Sequence, residues 1–202
     1  MYSHIGTSFS ASIHAKTRES FRTWLKVYRT DIDCGSHIVI PYEFMFAAIG
    51  IFQDLFFFGH LPFMNFHWNE QLAERRRAYG VCKVNHTGHQ SAAIEMGPVM
   101  IAPDCNGRTA SLIGTLLHEL VHAFLEYYSC DGFDCGQREC AVEVVDAYTR
   151  VGHGPAWQKL AAAIEEKCTS WLGFPVQLGW QGEGKHFEED CRVVPFVSDA
   201  YV

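Results

Sequence analysis

The chain has 202 residues, 48% hydrophobic and 19% charged, enough apolar material for one domain with a sizeable core, or one domain and an appendage. Its 16 Lys and Arg against 23 Asp and Glu leave a formal charge of -7, which argues against binding nucleic acid through many phosphate contacts. No stretch near the N-terminus has the apolar core of a signal peptide, and the longest apolar run is interrupted by Gln53 and Asp54, so an intracellular protein, cytoplasmic or nuclear and outside the membrane, is expected.

Residues 1–40 read as a helical extension. In RESFRTWLKVYRT, Phe21, Trp24, Leu25 and Tyr28 share one helical stripe. PYEFMFAAIGIFQDLFFFG opens on Pro41 and spaces Phe44, Ala48, Ile51, Phe52 and Leu55 helically, up to Gly59. FMNFHW, RRAYGVCKV and AAIEMGPVMIAP are bounded by turn residues and read as strands of a short, mostly antiparallel sheet. Pro98 cannot donate a ladder hydrogen bond, which predicts that the third strand lies at an edge, where an extended substrate could pair with it. The single basic cluster, AERRRAYG (Ala73 to Gly80), reads as a solvated turn between strands.

TASLIGTLLHELVHAFLEYY follows, with Leu112, Ile113, Leu116, Leu117, Leu120 and Phe124 on one helical face and Thr109 as the expected N-cap. QRECAVEVVDAYT and GPAWQKLAAAIEEKC predict two further helices, the second with Pro155 in its first turn. The tail, 171–202, is rich in Gly, Pro and Val and is expected to pack irregularly on the core. Helices and strands thus come in separate runs, an α+β pattern with its core at 41–170.

His118, Glu119 and His122 form H-E-x-x-H. Residues four apart project from one side of a helix, so both imidazoles can reach a single ion. Glu119, one position further round, is placed to accept a proton rather than to ligate. Zinc held this way lowers the pKa of a bound water to about 7, within reach of a carboxylate base. Catalytic zinc takes three protein ligands. A metzincin site would need Gly and His where the chain has Leu125 and Tyr128. Two sources of the third ligand remain. Glu143 lies about twenty residues on in a predicted helix, and His153 sits between Gly152 and Gly154, just ahead of Pro155. The two glycines let the backbone turn freely, and His153 is preferred because three histidines are an established catalytic zinc set.

The eight cysteines include Cys130, Cys135 and Cys140, whose spacing matches no common zinc ribbon. Free thiols, a disulfide or an accessory metal site all fit that insert; free thiols are the default inside cells. His86 and His89 fall in an expected hairpin turn. His60 and His67 suit packing or capping, and His4, His14, His37 and His186 show no spacing. Tyr127, Tyr128 and Tyr148 are candidate oxyanion partners.

LLHELVHAFLEYY joined to GHGPAWQKL resembles the SprT-like metalloproteases, the Spartan-type family. FFFGHLPFMNFHWNEQL, AYGVCKV and AAIEMGPVMI resemble that family's strands, so the likeness runs from about Tyr42 to Lys167. The resemblance implies a small zincin-like domain, one catalytic zinc on His118, His122 and His153, and Glu119 as general base. It also implies a protein or peptide substrate, including DNA-associated or damaged proteins. No C-terminal zinc ribbon or basic DNA-binding region follows Trp171, and the acidic charge does not support DNA as a partner. Two other readings share the motif: a zinc-holding module that binds DNA or protein without cutting, and a zinc hydrolase of some non-peptide substrate. Nothing in the sequence fixes the oligomeric state.

Overall fold

The aromatic stripe near the N-terminus belongs to one long helix, α1 (Ser3–Cys34), on which Phe21, Leu25 and Ile32 are buried. The computed structural model describes residues 3–34, 40–76, 78–85, 91–98, 107–128 and 153–179. The Trp24 ring stacks on Phe44 of α2 (Tyr42–Phe56) with centroids 3.8 Å apart, which fixes the two helices against each other. α2 begins after Pro41, whose extended backbone (ψ 146°) suits a helix entry. It ends where Phe58 (φ 53°) and Gly59 (φ 76°) turn left-handed and the Gly59 N–H donates to the Gln53 carbonyl at 3.0 Å.

Three strands follow: β1 (Phe63–Trp68), β2 (Gly80–Asn85) and β3 (Ser91–Met96), in the spatial order β1-β3-β2. β2 and β3 pair antiparallel with Asn85 opposite Ser91, while β1 runs parallel to β3 with Phe63 opposite Ser91. This corrects two expectations. The sheet is mixed rather than mostly antiparallel, and β3 is central rather than an edge. Pro98 lies beyond the strand's last paired residue, Met96, so its missing N–H costs the ladder nothing. With β3 bonded on both sides, residues 92–96 of the expected substrate rail have no free edge to offer, and its residues 99–101 lie outside the described residues. The basic cluster also differs from the expected turn, because residues 72–76 wind into a short helix, α3 (Leu72–Arg76), anchored by buried Leu72.

Helix α4 (Arg108–Tyr128) buries Leu112, Ile113, Leu116, Leu117, Leu120 and Val121. Thr109 is not its cap. The helix starts one residue earlier, after Gly107 (φ 95°), and the Thr109 N–H donates to Asp33 Oδ1 at 2.9 Å, so a carboxylate at the end of α1 serves as the cap. Helix α5 (Pro155–Leu172) carries Pro155 at its first position and stops at Gly173 (φ 89°). Residues 180–202 of the expected tail lie outside the described residues; from the end of α5 to residue 179 the chain runs irregularly, with Phe174, Val176 and Leu178 buried. α1, α2, the sheet, α4, α5 and this segment share one hydrophobic core. The observed class is α+β, helices around a small sheet. No helix among the described residues is long and apolar enough to cross a membrane. The predicted helix at 137–149 and the cysteines at 130, 135 and 140 lie outside the described residues.

Candidate metal centre

The apolar face that seats α4 in the core carries His118 and His122 one turn apart, and both rings are only partly exposed. His153 arrives from the bend ahead of α5. Its backbone carbonyl accepts a hydrogen bond from Gln158 Nε2 at 2.9 Å, and Gly154 in extended conformation leads straight into Pro155, so the bend is tied to the helix it precedes. The three Nε2 atoms converge, at 3.2 Å for His118 and His122, 3.1 Å for His122 and His153, and 3.0 Å for His118 and His153. The three histidines are close enough to hold one metal ion. Two nitrogens on one tetrahedral zinc, each about 2.0–2.1 Å from it, stand about 3.3–3.4 Å apart. The observed triangle is slightly tighter than that spacing, and the donor set fits the ion.

Their chemistry fits as well. The His118 Nδ1–H donates to the Leu178 carbonyl at 2.8 Å, which puts the proton on the outer nitrogen and leaves the inner one with its lone pair. Burial pushes His118 down to about 4, and the neighbouring His153 adds to the shift. Burial and the other two imidazoles hold His122 well below its ordinary range, and burial lowers His153 too. All three are therefore neutral near pH 7, the form that ligates. Trp157 of α5 lies beneath them, with its ring centroid 4.7, 5.6 and 4.3 Å from those of His118, His122 and His153. It is fully buried, and its Nε1 has no hydrogen-bond partner among the described residues.

Glu119 is the only charged residue in the core among the described residues, at 5% exposure. Burial lifts its carboxyl to about 8, against a hydrogen bond from the Cys82 backbone N–H that favours the ionised form. The strand and the helix meet here with no room to spare. A Cβ on Gly80 would lie 2.6 Å from Glu119 Oε1 and 2.9 Å from Thr115 Cγ2. Gly80 is thus a site residue that the sequence reading missed, along with Leu178, whose carbonyl orients His118.

No protein-family model matches the chain, and no curated protein matches it. The site rests on its own geometry. Of the residues singled out from the sequence, His118, His122 and His153 come together, with Glu119 adjacent in the same helix. Glu143 and Tyr148 lie outside the described residues, as do His86 and His89. Tyr127 and Tyr128 close α4, with their rings against each other and Tyr128 exposed. His60 and His67 are exposed rather than packed, because their turn and strand positions face solvent.

Proposed function

We propose that the chain is a zinc-dependent peptidase of SprT-like type. The observation that carries this reading is the convergence of three neutral imidazole nitrogens from α4 and the bend before α5 beside a buried carboxylate. Zinc, when bound, supplies a Lewis acid that polarises a substrate carbonyl and acidifies a water in its remaining position. His118, His122 and His153 would hold it. Glu119 handles the protons, with its Oε atoms taking one from the attacking water and returning it to the leaving amine nitrogen. The Cys82 N–H steadies the ionised carboxylate before it takes the proton and again after it has returned it, and the lack of a side chain at Gly80 lets the strand approach closely enough to do so. Since the Cys82 N–H points to Glu119, the side of β2 turned away from β3 borders the reacting groups, and an extended peptide would pair there. Main-chain pairing of that kind tolerates many sequences, which suits unfolded or damaged protein substrates, including those associated with DNA.

The test is Glu119→Gln. The variant should bind one zinc per chain as the parent does, yet cleave casein at least about 100-fold more slowly. Equal cleavage by both proteins would falsify the role of Glu119. A parent that binds zinc but leaves casein intact while hydrolysing small esters or amides would point to the non-peptide hydrolase. Zinc binding with no hydrolysis of any substrate would point to the binding module.

A further inference from the structure

The segment after α5 does more than cover the core. Phe174, Val176 and Leu178 are buried in alternation, which seats residues 174–178 as a strap along α4. Gly114 of α4 lies directly under it. A Cβ there would stand 2.5 Å from the Gln177 carbonyl oxygen and 3.3 Å from Val176 Cγ1, so the strap touches the helix backbone itself. The Leu178 main chain is held from both sides. Its carbonyl accepts the His118 Nδ1–H at 2.8 Å, and its N–H donates to Glu165 Oε1. Glu165 stands eight residues after Trp157 on α5, with Ala161 between them, so one helix face presents both the floor beneath the three imidazoles and the clamp on the strap.

The geometry points to Glu165 as a positioning residue for the metal centre, acting through the Leu178 main chain on the tautomer and ring orientation of His118. The inference rests on the metal-binding reading above. A free imidazole divides its proton between two nitrogens, and only the form protonated at Nδ1 offers Nε2 as a ligand. The Leu178 carbonyl selects that form, provided it stays where Glu165 holds it. Removing the Glu165 carboxylate leaves a part-buried N–H without its acceptor, and the strap must shift to find another.

The experiment uses the full chain and two readouts: zinc affinity by competition with a chromophoric chelator, and the His118 tautomer in metal-free protein by nitrogen NMR of the imidazoles. Glu165→Ala should weaken zinc by about 10–100-fold, the usual range for an outer partner of a ligating histidine, and spread His118 over both tautomers. Glu165→Gln keeps an oxygen acceptor and should stay near the parent in both. Gly114→Ala tests the strap from the other side and does not depend on Glu165→Ala folding. Alanine is the better helix former, so α4 is not weakened, but the new Cβ must displace the Gln177 carbonyl and loosen zinc. Either variant, folded, with zinc affinity and a single His118 tautomer equal to the parent's would overturn the role of the strap. A parent that takes up no zinc, or takes it up equally well without His118, overturns the metal reading and this inference with it.

Discussion

At the scale of single residues, the site depends on atoms that are missing as much as on those present. Gly80 has no Cβ, and Glu119 occupies the space one would need, with Oε1 2.6 Å from its ideal position. Gly80→Ala should therefore swing the carboxylate off the Cys82 N–H while leaving the three imidazoles alone. Peptide cleavage is expected to fall by about 10-fold or more, with zinc affinity close to the parent's; a matched loss of zinc would mean the damage had spread into α4. The buried carboxyl also sets a pH dependence. Raised from 4.5 to about 8, Glu119 binds its proton more tightly in the folded metal-free chain than in the unfolded one. The folded state holds the extra proton between those two values, so stability falls as pH rises through that window, by up to about 1.4 kcal/mol for each unit. Glu119→Gln has no such proton to lose, and the histidines titrate alike in both proteins. In the metal-free state the two should unfold at similar urea concentrations near pH 5, and the variant should be the more resistant by pH 8. A difference that does not change with pH would mean that Glu119 is not held in the environment described.

At the scale of elements, what could be read in advance was whatever repeats along one segment. The apolar positions of α4 recur at helical spacing, so its face, and with it the shared side of His118 and His122, was legible. Gly152, His153 and Gly154 ahead of Pro155 likewise singled out the histidine that meets the other two. Contacts between distant segments left no such trace. Leu178 reaches His118 across 60 positions, and Asp33 caps α4 across 76. Thr109 looked like the cap because capping chemistry is usually local, whereas here Gly107 makes the turn and α1 lends the carboxylate. β3 was misplaced for a related reason, since Pro98 lies two residues past the strand and says nothing of which strands flank it. The cap gives this scale its own prediction. Asp33 also pairs with Arg29 at 3.3 Å, but that pair is exposed enough to count for little. Asp33→Ala should cost about 1 kcal/mol, the usual worth of an N-cap, seen as a lower urea midpoint with an unchanged slope. A variant as stable as the parent would show that water replaces the carboxylate at the Thr109 N–H.

At the scale of the whole molecule, the candidate metal centre draws on separate parts of the chain, which a shared ion would hold together more firmly than the core alone. His118 and His122 belong to α4, His153 belongs to the bend before α5, and Trp157 packs α5 against all three rings. A cation shared by these groups is a crosslink between the two helices, present in the folded state and absent in the unfolded one. Free energy of binding is then free energy of folding, and an excess of zinc at 100 times its dissociation constant adds about 2.7 kcal/mol. Without the cation the same arrangement is a burden. Three part-buried nitrogens crowd one another at 3.0–3.2 Å, and the His118 nitrogen, whose ring proton sits on Nδ1, can only accept there. His153→Ala should separate the two contributions. Its metal-free Tm should equal or exceed that of the metal-free parent, because one of the crowded nitrogens is gone. The rise in Tm on adding zinc, large in the parent and reversed by a chelator, should nearly vanish in the variant. If His153→Ala instead kept the full rise, the ion would sit on α4 alone, and the bend before α5 would owe its two glycines to some other task. If the parent showed no rise at all, the convergence of the three rings would be a feature of packing rather than of ligation.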